Sequence, residues 1–153
     1  MPCYISQKNI DLVTKHGIFA EDEFRARYAI HMENYAKVIR IEALTSIDMI
    51  RRQILPAAMK YTGTLAESLA AKTQLGLPCQ AERQTAQRLS EGCDKLYVLC
   101  DQLEKDLNQV PTGDATAAAQ YYSRVILSDM AQAREQADLL ETLTDKSYWP
   151  YPT

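Results

Sequence analysis

Apolar residues recur along this 153-residue chain at alternating spacings of three and four, and no stretch sustains a spacing of two. The clearest run is Leu89, Cys93, Leu96, Cys100, Leu103, Leu107 and Val110, the seam of a helix predicted over 81–110. Tyr122, Ile126, Met130, Ala133, Ala137 and Leu140 repeat the pattern on a helix over 114–144. A matching stripe of Ile47, Ile50, Ile54, Ala58, Tyr61, Leu65 and Leu69 lies in a very long helical segment, 21–75. A short helix over 6–16 precedes it, with Ser6 placed to cap its start and Lys15 and His16 at the negative end of its dipole. Gly17, Gly76 and Gly113 fall just past these segments, and Gly76-Leu77-Pro78 is the fullest stop signal in the chain. Nothing predicts a strand or a hairpin turn.

This pattern predicts an all-α fold with long antiparallel helices in an up-down-up bundle, because short connections force neighbours to run antiparallel. The whole of 1–153 reads as one helical domain: an N-terminal hairpin over 1–45, the bundle over 46–144 and a tail over 145–153. At 1.5 Å per residue the later helices are about 45 Å long, while the 21–75 segment would reach about 80 Å. Pro56 inside that segment must kink it or start a new helix. Its N-terminal half therefore overhangs the bundle, yet it carries Phe24, Tyr28, Tyr35, Val38, Ile39 and Ile41. An uncovered apolar stripe of this kind marks a contact with another chain or domain, unless the hairpin folds back to cover it. The tail Tyr148-Trp149-Pro150-Tyr151-Pro152-Thr153 is a stiff, extended aromatic arm, pinned to the bundle through Trp149 or free to dock elsewhere.

Composition adds exclusions rather than an activity. The formal net charge is −3, with nine basic and seven acidic residues up to position 60 and eight and thirteen after it. Neither half has the basic field that nucleic-acid binding needs, and no apolar run approaches a membrane span. Cys3, Cys79, Cys93 and Cys100 are too few for a disulfide framework and read as reduced thiols of a cytoplasmic protein. Cys93 and Cys100 stand two helical turns apart, too far to bridge or share a metal, so they read as core packing. Neither His16 nor His31 has a glutamate three residues before it, so the di-iron bundle motif is missing. No glycine-rich phosphate loop occurs. Glu21, Asp22 and Glu23 suit a helix start better than acid–base chemistry. Lys37, Arg40, Arg51 and Arg52 make either a salt-bridged face or a site for an anion or acidic partner.

The run Glu33-Asn34-Tyr35-Ala36-Lys37, followed by Ile41-Glu42-Ala43-Leu44-Thr45, Asp48-Met49 and Ile54-Leu55-Pro56-Ala57, resembles the C-terminal region of type III glutamine synthetases. So do Tyr4-Ile5-Ser6-x-Lys8-Asn9-Ile10, His16-Gly17-Ile18-Phe19 and the closing Trp149-Pro150-Tyr151-Pro152-Thr153. The central run and the tail are the specific parts, and the two later helices match in length and pattern. The resemblance implies a cytoplasmic parent enzyme several times longer, joining ammonia to glutamate with ATP and Mg²⁺ or Mn²⁺. It also implies large ring-shaped homo-oligomers. The parent's catalytic work would belong to a β-rich core whose metal-binding carboxylates, histidine and substrate arginines find no match here. No catalytic, cofactor-binding or metal-binding residue is therefore assigned in this chain, which alone is expected to be inactive. It is expected to be a fragment whose partners are the parent's catalytic domain and neighbouring subunits. The alternative is a stand-alone helical scaffold or adaptor holding a partner helix along Phe24, Tyr28, Tyr35 and Ile39.

Overall fold

In the computed structural model, which describes residues 2–152, a 3₁₀ turn (Pro2–Ile5) leads into helix α1 (Gln7–Lys15). Helices α2 (Glu21–Met49), α3 (Leu55–Gln74), α4 (Gln80–Leu107), α5 (Ala115–Tyr121) and α6 (Leu127–Leu143) follow. The described residues contain no strand. Helices α1 and α3 stop by the same device. Gly17 and Gly76 take φ of 64° and 68°, and the next residue's N–H reaches back to a carbonyl five positions earlier. Those bonds run from Ile18 to Val13 at 2.9 Å and from Leu77 to Lys72 at 3.0 Å. A side chain at either glycine would meet the left-handed penalty, so both stops are written in the sequence. Ser6 takes the N-cap position with extended backbone, but its hydroxyl makes no capping bond. Asp114 does cap α5, accepting from the N–H groups of Thr116 (2.8 Å) and Ala117 (3.2 Å).

Pro56 stands in the first turn of α3, directly after a π turn. The helix runs unbroken from Glu21 to Gln74, through a π turn at Ile50–Ile54. In a regular helix the ring would strike the carbonyl four residues back and leave it unpaired. The π turn, in which the N–H of Leu55 bonds the carbonyl of Ile50, widens the backbone just before the proline. A second π turn, Tyr122–Ile126, joins α5 to α6. The extra residue re-phases the helix, so Ala119 faces α2 while Ala133, Ala137 and Leu140 face the core beside α4.

The three long segments pack antiparallel. Helix α4 returns along α3, and α5 and α6 then run beside α4 and the long helix. The core contains all the seam residues expected on α4 from Leu89 to Leu107. At Gly92 α4 and α6 approach closely: a Cβ there would lie 2.8 Å from Leu140 Cδ2 and 3.1 Å from Gln136 Nε2.

The N-terminal overhang departs from expectation in what covers it. Tyr4 stacks on Phe24 (5.0 Å between centroids) and Tyr28 (5.9 Å), and Phe19 packs on Phe24 (6.2 Å). Helix α5, which starts beyond the end of α4, lays Ala119 against Tyr28 and Met32. Phe24, Tyr28 and Ile39 are consequently buried, and Tyr35 is half-buried. The tail from Asp145 is non-helical and lies on the bundle: Tyr148 packs on Tyr61 at 5.2 Å and its hydroxyl pairs with that of Thr64 at 3.1 Å. Trp149 and Tyr151 pack against the core.

Candidate docking surface

Helix α2 carries apolar residues on two opposite faces. At about 100° per residue, Tyr28, Met32, Ile39 and Ala43 share one side and enter the cores. Ile30, Ile41 and Leu44 lie roughly opposite, with Val38 on the flank, and all four remain 47–65% exposed. A helix apolar on both faces is half-buried by its own fold and has a second surface to bury elsewhere. The adaptor face expected along Phe24, Tyr28, Tyr35 and Ile39 is thus the wrong side of the helix, since the chain's own 3₁₀ turn and α5 already occupy it. What separates the two stripes is helical phase, which lumping all apolar residues of the segment together obscures.

Charges flank the outward stripe in order. Glu33 pairs with Lys37 (3.5 Å) on one side of Ile41 and Leu44, and Asp48 pairs with Arg52 (2.8 Å) on the other. All four side chains are more than half exposed, where such pairs contribute little. Arg40 is exposed on the same helix. Arg51 behaves differently: it turns inward and grips α4, reaching Glu104 at 2.7 and 3.1 Å and Asp101 at 2.8 Å. Hydrogen bonds from Arg51 hold the Glu104 carboxyl below its ordinary range. The expected basic stretch is therefore salt-bridged at Arg51, Arg52 and Lys37.

Between α2 and α5 lies a half-open apolar groove of about 600 Å³, bordered by Tyr4, Tyr28, Tyr35, His31, Ala119 and Gln120 among others. His16 sits apart, at the end of α1. Cys93 and Cys100 are buried on α4, and burial pushes both thiols above their usual range, as fits packing rather than reactivity. Among the described residues, no three His, Cys, Asp or Glu side chains stand close enough to hold a metal ion, and no helix is long and apolar enough to cross a membrane.

One polar cluster has no signal in the sequence. Asp106, near the end of α4, is only 9% exposed; it accepts from Gln102 Nε2 at 2.7 Å and from the Tyr121 hydroxyl at 3.4 Å. Asp129 on α6 stands beside it, with one buried oxygen left without a partner. Burial first, and hydrogen bonding to Asp106 second, push the Asp129 carboxyl up to about 6. Asp106 and Asp129 lie 23 positions apart on different helices, so only the packing brings them together.

The geometry defines a class: an all-helical bundle domain with a helical hairpin at one end. Comparison with known proteins supplies its relatives. Residues 1–73 match the family model described as the glutamine synthetase C-terminal domain. Over its whole length the chain is 35% identical to a glutamine synthetase of Butyrivibrio fibrisolvens, of which it covers 22%. Over 96% of its length it is 27% identical to a type-3 glutamine synthetase of Dictyostelium discoideum, of which it covers 21%. No solved structure matches. The chain is thus similar to the C-terminal part of glutamine synthetases, and it spans about a fifth of the length of these curated relatives.

Proposed function

We propose that this chain is the helical C-terminal domain of a cytoplasmic glutamine synthetase, and that it contributes structure and contacts while the chemistry resides elsewhere in a longer protein. The parent reaction would be the ATP-dependent joining of ammonia to glutamate, with Mg²⁺ or Mn²⁺ held by the catalytic domain. The observation that carries this reading is the similarity running the full length of the chain to a protein named glutamine synthetase. The outward face of α2 supports the contact role, because large apolar residues there remain 47–65% exposed. Contacts with the parent's catalytic domain and with neighbouring subunits are the roles such a surface would serve.

The test is an assay of the purified chain with glutamate, ammonia, ATP and Mg²⁺. Glutamine is expected to stay at the level of a protein-free blank. Turnover that scales with protein concentration would overturn the assignment of chemistry to another domain.

A further inference from the structure

We propose that the outward face of α2 is a self-pairing surface on which two copies of this chain meet antiparallel, Ile41 of each against the partner's Leu44. The order of charges selects this occupant and this direction. Reading along the helix, Glu33 and Lys37 precede the apolar pair Ile41 and Leu44, and Asp48 and Arg52 follow it. Turning a second copy end for end about the midpoint of Ile41 and Leu44 brings Lys37 opposite the partner's Asp48 and Glu33 opposite the partner's Arg52. Four opposite-charge pairs then bracket two apolar contacts, as the flanking charges of a two-helix interface do. A parallel pair in register would instead set Glu33 against glutamate and Lys37 against lysine, which repel.

The face is suited to this in two further respects. Ile30, Asn34, Lys37, Ile41, Leu44 and Asp48 follow one another at alternating spacings of four and three, the seam by which one helix meets another. The same patch meeting itself gives a closed two-fold contact, so it ends at a dimer and does not propagate. The intrahelical pairs of Glu33 with Lys37 and Asp48 with Arg52 are exposed and weak, leaving their charges free to be shared across the interface. This face gives the proposed subunit contact a location; it rests on the contact part of the reading above and not on the enzymatic part.

Light scattering on the purified chain, from about 5 to about 500 µM, tests it. A stripe this small predicts a dimer dissociating at about 10–100 µM. Ile41→Glu should leave a monomer with unchanged helicity, since the residue is exposed and its loss removes nothing from the core. Lys37→Asp or Asp48→Lys alone should weaken the dimer about fivefold or more, because each reversal acts twice across a two-fold axis. The double variant K37D/D48K should restore it. A monomer at every concentration, or a dimer that survives Ile41→Glu, would overturn self-pairing and leave the face to another part of a longer chain. A double variant no tighter than the singles would overturn the antiparallel register. Each of these results is independent of the glutamine assay.

Discussion

The two ends of the long helix are packed by opposite means. Around α3, α4 and α6 the partners come close because small residues let them: Gly92 leaves Leu140 and Gln136 within van der Waals contact of the α4 backbone, and Cys93, Ala133 and Ala137 line the same interface. Around α2 and α5 the contact is made by large side chains, Tyr28, Met32 and Tyr35, against the single methyl of Ala119, and a groove of about 600 Å³ remains. Close backbone approach gives the dense interior that holds a fold together. Bulky residues meeting a small one leave space, so the hairpin end tolerates change that the bundle end does not.

The largest expected difference is in large-to-small substitution. Leu96 is fully buried in the bundle, so Leu96→Ala should lose about 2–5 kcal/mol in a urea titration. Met32 borders the groove, where the cavity left by truncation merges with space already open. Met32→Ala should therefore cost less, at or below about 2 kcal/mol. Equal losses would erase the contrast between the two ends.

Adding volume should sharpen it. Gly92→Ala gains helix propensity of about 1 kcal/mol, but its methyl would sit 2.8 Å from Leu140, a fully buried side chain. Overpacking of about 1–3 kcal/mol should outweigh the gain and lower the melting temperature. Ala119→Met adds more atoms than Gly92→Ala, yet it borders open volume and should change stability by less than about 0.5 kcal/mol. A loss at Ala119 as large as at Gly92 would mean the groove cannot accept a side chain.

The dense end was the more legible of the two in the sequence, for a physical reason. Its helices bury one face each, so apolar spacing from Leu89 to Leu107 maps directly onto core positions. The glycine stops at 17 and 76 were equally readable, because only glycine takes those backbone angles without cost. Helix α2 defeats the same reasoning by being apolar on two sides: Val38 and Ile41 count towards the same stripe as Tyr28 and Ile39 until helical phase separates them. Gly92 was missed because a glycine inside a helix registers locally as a penalty, and its use appears only when Leu140 is set against it. The π turns have a partial signal at Pro56 and none at Tyr122–Ile126, where tertiary packing selects the extra residue. The tail's role followed from its aromatics only once Tyr61 and Thr64 were placed beneath it.

A pH-dependent effect lies at the boundary between the two ends, where α4 finishes and Asp106 meets Asp129. The Asp129 carboxyl is raised to about 6 by burial and by its contact with Asp106, against an ordinary value of 3.8. An acid whose value rises on folding binds its proton more tightly in the folded state. Its contribution to stability is complete below pH 3.8, and it is lost as pH climbs through about 6, where the folded chain must ionise a part-buried carboxyl. The groups facing it are Asp106 and, through Asp106, Gln102 and Tyr121; the tyrosine hydroxyl is pushed above its usual range by burial and stays protonated throughout. Asp129→Asn keeps a neutral side chain of the same shape and removes the titration. Between pH 5 and pH 7.5 the parent chain should therefore lose more stability than the variant. Asp129 is only part-buried and solvent screens it, so the difference should be about 1 kcal/mol. Urea midpoints of both proteins at the two pH values measure it directly. Parallel responses would mean that Asp129 is not raised on folding; a steeper fall in the parent would place this pH dependence at the junction of the two ends.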